Sequence, residues 1–159
     1  MPERYRAAIT EDIPALVELS DQRRQQYAQY QPVFWRPAAD ARERHEPFLR
    51  SLLTYDNVIA RVHERDDGAV DGFIIATLVP APPVYDPGGQ TCSIDDFCLA
   101  DASAWPTTGK RLLADAMADA KARGASQVVV VCGHLDQPKR AMLAAAGLTI
   151  ASEWYVRPL

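Results

Sequence analysis

The stretch TCSIDDFCLADASAWPTTGKRLLADAMADAKARG, residues 91–124, decides the fold because it predicts a buried strand that leads into a helix. The strand covers Thr91–Leu99, and the helix runs from about Thr107 to Arg123, before a terminating Gly124. The first N–H groups of a helix have no internal partners and lie at the positive end of its dipole. The stretch therefore predicts an anion site, suited to phosphate, directly after the strand.

Length, composition and charge limit the classes of protein to which this chain can belong. The chain has 159 residues, which predicts one domain over 1–159, and its 48% apolar and 24% charged residues are ordinary for a globular protein. A net charge of −4 lacks the basic footprint of a nucleic-acid binder. No apolar run reaches the roughly 20 residues of a membrane span, and the N-terminus has no apolar signal region. We expect a cytoplasmic protein without nucleic-acid or membrane partners.

Cysteine and histidine spacing gives no indication of a metal site or a disulfide framework. The chain has three cysteines, an odd number, which favours a reducing compartment over a set of disulfides. We expect the cysteines to serve as small residues of the core. No His-x-x-x-His or Cys-x-x-Cys pair occurs, and no Gly-x-Ser-x-Gly elbow of a serine hydrolase. The residues concerned are Cys92, Cys98, Cys132, His45, His63 and His134.

The remaining elements follow from hydrophobic period and from turn residues. The order β-α-α-β-β-β-α-β-α-β predicts a mixed α/β sheet. A Pro/Gly-rich loop over 80–89 is long enough to serve as a lid or a binding loop. The other elements are expected as strands at 5–9, 57–64, 70–79, 127–132 and 148–156, and as helices at 10–27, 37–53 and 136–147.

Four stretches resemble the GNAT superfamily of acyl-CoA-dependent N-acyltransferases, and the likeness covers essentially the whole chain. They are 5–13 for the opening strand and helix, Ile94–Leu99 for the fourth strand, Gly109–Leu113 for the pyrophosphate-binding helix and 136–148 for the last helix and its turn. The resemblance implies a mixed, mostly antiparallel sheet of six to seven strands, with helices on both faces.

The resemblance also implies acetyl-CoA as co-substrate. The pantetheine arm would lie in a gap between the fourth and fifth strands and pair with the backbone of Phe97, Cys98 and Leu99. The pyrophosphate would lie on the loop and helix that follow, and Asp136 stands where the family often has Asn at the start of its last helix. The residues implied for the pyrophosphate are Trp105, Thr107, Thr108, Gly109, Lys110 and Arg111.

Two departures from the family pattern stand out. The family's loop reads Gln/Arg-x-x-Gly-x-Gly/Ala, and here Ala104, Thr107 and Gly109 hold the three defined positions, so that only the last matches. Pro106 has no N–H to donate. Many members carry a Tyr on the last helix that protonates the departing thiolate, and Leu143 holds that place.

The candidate acid–base residues are two adjacent carboxylates and one tyrosine. An amine must lose a proton before it attacks, and Asp95 or Asp96 is the candidate base, acting directly or through water. Successive strand residues point to opposite faces, so we expect one carboxylate on each face. Purely structural roles for both remain an alternative. Tyr155, which shares a face with Glu153 on the closing strand, is the candidate acid.

Aromatic residues crowd the connection between the first two helices, where the resemblance places the acceptor. Tyr27, Phe34 and Trp35 are candidate contacts for a small-molecule or peptide amine, and Tyr85 in the Pro/Gly loop would close over the same cleft. The alternative is a small satellite core.

The sequence therefore predicts an acetyl-CoA-dependent N-acetyltransferase in which a primary amine attacks directly. One alternative is a non-catalytic CoA-binding or ligand-sensing module. Another is a self-associating domain, a homodimer, that pairs through the closing segment 154–159.

Overall fold

The computed structural model describes residues 2–159. The strands are β1 Arg4–Ala7, β2 Val58–Glu64, β3 Val70–Val79, β4 Gln90–Leu99 and β5 Ala125–Val130, and the helices are α1 Ile13–Tyr30, α2 Ala41–Leu52, α3 Lys110–Ala122 and α4 Gln137–Ala145. Short helical turns precede α1 at Thr10–Asp12 and α3 at Ala102–Ala104, and a wide π-type turn at Trp105–Gly109 runs directly into α3.

The described strands form one sheet in chain order, β1-β2-β3-β4-β5. Strands β1 to β4 pair antiparallel with one another, whereas β5 lies parallel to β4. Because α3 connects these two strands, it crosses over one face of the sheet, as a βαβ unit requires. Gly124 (φ +92°) ends that helix and Gly147 (φ +86°) follows α4, so the two glycines fill left-handed positions that other residues rarely adopt.

Two hydrophobic clusters cover the two faces of the sheet. The α3 and α4 face buries Ile74, Ile94 and Phe97 among others. The α1 and α2 face buries Phe73 and Cys98. Helices therefore pack on both faces, as expected.

A β-bulge alters the alternation of β4. Ile75 pairs with Asp96, and the next residue of β3, Ala76, pairs with Ile94, so Asp95 has no partner on β3. The extra residue leaves Asp95 exposed and turns Asp96 towards α1. The expectation of one carboxylate on each face therefore fails at the bulge.

Over residues 2–159 the sheet has five strands rather than six or seven. Residues 149–159 are exposed and have no regular structure, so no strand forms over 148–156. The expected closing strand is therefore wrong. Strand β1 also ends at Ala7 rather than at Ile9. On α2, Leu49 is buried, whereas the neighbouring Phe48 is 53% exposed.

Candidate active site

Strands β4 and β5 separate halfway along β4, and the candidate site lies where they part. The last pairing joins Ile94 to Val130, and the Val131 N–H donates to the Ile94 carbonyl at 2.9 Å. Beyond this point Asp95–Leu99 pairs with β3 alone among the described residues. One edge of this half-strand therefore faces a gap, and a strand edge of this kind can take an extended ligand as an added strand.

The side chain of Lys139 occupies the gap. Its Nζ donates to the Phe97 carbonyl at 3.2 Å, and the side chain is fully buried. The amine lies 5.2 Å from the ring centre of Phe97 and 5.4 Å from that of Trp105, which are cation–π distances. Burial, together with the charge of Arg23, lowers the pKa of Lys139. The amine therefore gives up a proton more readily than an exposed lysine.

The expected phosphate loop is wound into helix and packs against the gap. Trp105 is buried and meets Phe97 edge to face, with the ring centres 4.8 Å apart. Gly109 lies beneath the same indole, and a Cβ there would stand 2.5 Å from the Trp105 ring. Only glycine fits at this position.

The polar groups around that turn differ in how they are engaged. Arg111 pairs with Asp115 at 2.9 Å, whereas Lys110 is exposed and forms no ion pair among residues 2–159. Thr107 is exposed and its hydroxyl donates to the Ala104 carbonyl at 3.3 Å, and Thr108 is half-buried. Lys110 and the first turn of the helix are thus the groups that an anion can reach.

Arg23 on α1 ties down the two carboxylate residues of β4. It donates to Asp96 Oδ1 at 2.9 Å and to the Asp95 carbonyl at 2.9 Å. The Asp96 carboxylate is therefore paired, while the Asp95 side chain points to solvent. The ion pair holds the Asp96 carboxylate against α1, so its Oδ1 is already engaged by Arg23.

Tyr27 and Asp136 join α1 to the start of α4. The buried Tyr27 hydroxyl donates to Asp136 Oδ2 at 2.6 Å and accepts from the Gly133 N–H at 3.3 Å. A Cβ on Gly133 would lie 3.0 Å from the Tyr27 ring, so glycine allows this close approach. Burial and the Asp136 carboxylate raise the pKa of Tyr27, which keeps its proton. Asp136 also accepts from the Lys139 N–H as the N-cap of α4.

His45 on α2 is a second potential base on the α1 and α2 face. Arg24 Nη1 lies 3.2 Å from His45 Nδ1, and because arginine only donates, this nitrogen accepts. Burial lowers the pKa of His45 against an opposing effect of Asp96, and the charges of Arg24 and Arg23 lower it further. The imidazole is therefore neutral at pH 7 and can take a proton.

The two thiols near the gap are poor nucleophiles. Burial raises the pKa of Cys98, and it raises the pKa of Cys132 to about 11. The reactive form of cysteine is the thiolate, which is scarce for both at neutral pH. Neither thiol is therefore a good candidate for a covalent nucleophile.

The other predicted site residues lie outside this cluster or at its border. Tyr155 is 89% exposed and donates to Glu153 at 3.0 Å, and Tyr85 is exposed on the long loop. Trp35 contacts Tyr27 with ring centres 5.1 Å apart, and Phe34 packs on Trp35 at 4.7 Å. Tyr27 and Trp35 are thus placed beside the gap, whereas Tyr155 and Tyr85 are not part of it.

Sequence reasoning missed Lys139 and Arg23. Lys139 is the third residue of α4 after the N-cap Asp136, where the helix dipole disfavours a cation. A lysine in this position, on a helix that packs on the sheet, is a signal that could have been noticed. Arg23 gave no such signal, because its partners Asp95 and Asp96 lie more than 70 residues further along the chain.

Two surface cavities lie away from the gap. One of about 200 Å³ is lined by Ala7, Leu53 and Arg61 among others. The other, of about 330 Å³, lies beside Val17 and Arg42. Within 2–159, no group of three or more His, Cys, Asp or Glu side chains is arranged to hold a metal ion. None of the described helices has the length and apolar character needed to cross a bilayer.

Comparison with solved structures identifies the fold. A mutant form of a Bacillus halodurans protein superposes with a TM-score of 0.85 at 14% identity, over 98% of this chain and 99% of that one. A predicted acetyltransferase from Clostridium acetobutylicum, solved with acetyl-CoA, gives a TM-score of 0.76 at 17% identity, over 98% and 96%. Glucosamine-6-phosphate N-acetyltransferase from Arabidopsis thaliana gives 0.70 at 14% identity, over 99% of both chains.

No protein-family model matches the sequence, and no curated protein matches it significantly. The likeness is one of structure, and at this level of identity it concerns the fold. The expected fold, a mixed sheet with helices on both faces, is confirmed in that respect.

Proposed function

We propose that the protein is an acyl-CoA-dependent N-acyltransferase that uses acetyl-CoA and a primary amine. The observation that carries the proposal is the separation of β4 from β5 after Ile94. Among the described residues, it leaves one edge of Asp95–Leu99 without a partner strand. The fold likeness to a structure solved with acetyl-CoA supports the same placement.

The residues around the gap suit the two parts of acyl-CoA differently. The edge Phe97–Leu99 offers backbone groups to the amides of the pantetheine arm, provided that Lys139 Nζ releases the Phe97 carbonyl. For the pyrophosphate, the helix that begins at Trp105 offers its positive end, and the exposed Lys110 adds a charge. The residues therefore fit acyl-CoA with one side-chain movement.

In the proposed reaction an amine on the α1 and α2 side attacks the thioester carbonyl. A C–N bond forms, the C–S bond breaks, and the attacking nitrogen loses a proton. His45 lies on that side and is neutral, so it is the proposed acceptor of this proton, whereas the Asp96 carboxylate is engaged by Arg23. Asp96 and Arg23 then serve to hold the bulge and to set the charge around the amine.

Calorimetric titration with acetyl-CoA tests the proposal, with adenosine monophosphate as the control ligand. We expect micromolar binding of acetyl-CoA and much weaker binding of the nucleotide. Lys110→Met should weaken acetyl-CoA binding by about three- to tenfold, since it removes one charge near the pyrophosphate. Lys121→Met, an exposed lysine at the far end of α3, is the matched control and should bind like wild type.

A second candidate, a module that binds CoA or another ligand without catalysis, is favoured by one observation. The Lys139 side chain already fills the gap, with Trp105 packed beside it, and the Phe97 carbonyl is already satisfied. The same titration tests whether either candidate holds. If no heat of binding is detected at millimolar acetyl-CoA, both the acyltransferase and the CoA-binding module are excluded. Binding without turnover of any amine in a broad screen would favour the module.

A further inference from the structure

We propose that Lys139 is the general acid of the acyl transfer, the group that protonates the departing CoA thiolate. This inference rests on the proposed function and goes beyond it by assigning a proton donor inside the gap.

The position of the amine supports this role. Lys139 Nζ lies on the gap side of β4, 3.2 Å from the Phe97 carbonyl, and no solvent reaches the side chain. Whatever enters along the edge Asp95–Leu99 must replace the amine at that carbonyl and so comes into contact with it. Leu143, one helical turn further along α4, is apolar and cannot donate a proton.

The other candidate donors are engaged or distant. The Tyr27 hydroxyl is committed to Asp136 at 2.6 Å. The Tyr155 hydroxyl is exposed on the C-terminal segment and bound to Glu153. Lys139 is thus the proton donor that the gap itself contains.

The charged groups around Lys139 act on its ammonium in opposite directions. Arg23 on α1 disfavours a second cation, while the Asp136 carboxylate at the start of α4 favours one. The nearby thiols of Cys98 on β4 and Cys132 after β5 stay protonated at neutral pH and add no charge. Lys139 also lies in the first turn of α4, where the positive end of the helix dipole disfavours a cation. Burial disfavours the charged form of the amine, so this ammonium is a stronger acid than a lysine in water.

The proposed step balances without a further reactant. As the C–S bond breaks, its electron pair goes to sulfur, and the Lys139 ammonium gives its proton to that sulfur. The products are the free thiol and a neutral lysine. The proton that the attacking amine loses returns to the enzyme through the base and solvent, which restores the ammonium.

The test measures the pKa of the CoA thiol when CoA is bound. CoA labelled with ¹³C at the carbon next to sulfur is titrated with pH by NMR, free and bound to the wild-type protein. An ammonium beside the sulfur stabilises the thiolate, so we expect the bound thiol to titrate at least one unit below free CoA. Lys139→Met should return the thiol pKa to the free value or above it, and Lys121→Met should match wild type.

Lys139→Arg keeps the positive charge and gives a second variant in case the methionine variant does not fold. It should preserve the lowered thiol pKa, although a guanidinium does not release its proton at neutral pH. A thiol that titrates in the wild-type complex at the same pH as in free CoA overturns the proposal, whatever the variants do.

Two further outcomes also overturn it. An acetyl group found on Lys139 by peptide mass spectrometry, after incubation with acetyl-CoA, would make this residue an acceptor rather than an acid. Absence of CoA binding by the wild-type protein would remove the proposed function first and the role of Lys139 with it.

Discussion

At the scale of single residues, three buried or half-buried charges define the candidate site. Arg23, Asp96 and Lys139 come from α1, β4 and α4, and none is placed by its local sequence. The sequence predicted Asp96 as a candidate because it stands in an apolar strand. It could not predict that Arg23 pairs with it, since that contact depends on how the helix packs on the sheet.

We expect Asp12→Asn to lower stability by about 2 kcal/mol at neutral pH, because it removes a charge that accepts three hydrogen bonds. Arg6 donates two of these, at 2.7 and 2.8 Å, and the Ile9 N–H donates the third at 2.8 Å. Urea denaturation measures the loss, and Asp56→Asn, at an exposed aspartate, is the control.

Acid should abolish the difference between Asp12→Asn and the wild type. Burial raises the pKa of Asp12, but the bonds from Arg6 and Ile9 outweigh burial, and the pKa lies below the ordinary 3.8. The unfolded chain then takes up this proton first, so the stability from Asp12 is present above about pH 4 and is lost as the pH falls below it. A difference that stays constant down to pH 2 would contradict this assignment.

Tyr27→Phe should lower the free energy of unfolding by about 1–3 kcal/mol, because the buried Asp136 carboxylate loses a donor. Chemical denaturation tests this, with Tyr30→Phe as the matched control, since within residues 2–159 the Tyr30 hydroxyl bonds to the exposed Gln26 alone. Equal losses in both variants would show that the Tyr27 hydroxyl does not link α1 to α4 in the way described.

At the scale of elements, the sequence predicted the four helices and the central strands because their periods and end signals are strong. Gly124 and Gly147 mark helix ends through their left-handed backbone. The stretch 148–156 has strand-like alternation but forms no strand, because a strand also needs a partner edge, and hydrophobic period carries no information about one. The pairing of Tyr155 with Glu153 on one side is all that remains of the predicted pattern.

The turn Trp105–Gly109 allows a test of packing at this scale. Gly109→Ala places a Cβ 2.5 Å from the Trp105 ring, so we expect a loss of about 1–3 kcal/mol in stability. The loss should shrink when Trp105→Leu is introduced first, because the smaller side chain leaves room. Thermal unfolding of the four proteins measures this coupling, and additive losses would place the indole elsewhere.

At the scale of the whole molecule, the segment 149–159 packs little against the rest of the fold. All of it is exposed, and its one ring contact joins Trp154 to Phe34 at 5.9 Å. Strand β5 pairs on one side only among the described residues. A homodimer through residues 154–159 therefore stays a prediction, with an exposed apolar segment and a free sheet edge in its favour.

Deletion of 149–159 should leave the fold intact and abolish self-association. We expect the free energy of unfolding per chain to change by less than about 1 kcal/mol, since exposed residues contribute little. Sedimentation analysis should show a dimer for the full chain and a monomer after deletion. A truncated chain that still forms dimers would assign the contact to another surface.

Localised hydrogen–deuterium exchange with acetyl-CoA tests the central claim, that the gap between β4 and β5 binds acyl-CoA. We predict that saturating acetyl-CoA slows exchange in 95–99 and in 105–110, and that Lys121→Met behaves like wild type. Exchange that stays unchanged in both segments, or that slows only elsewhere in the chain, would contradict a cofactor site in the gap.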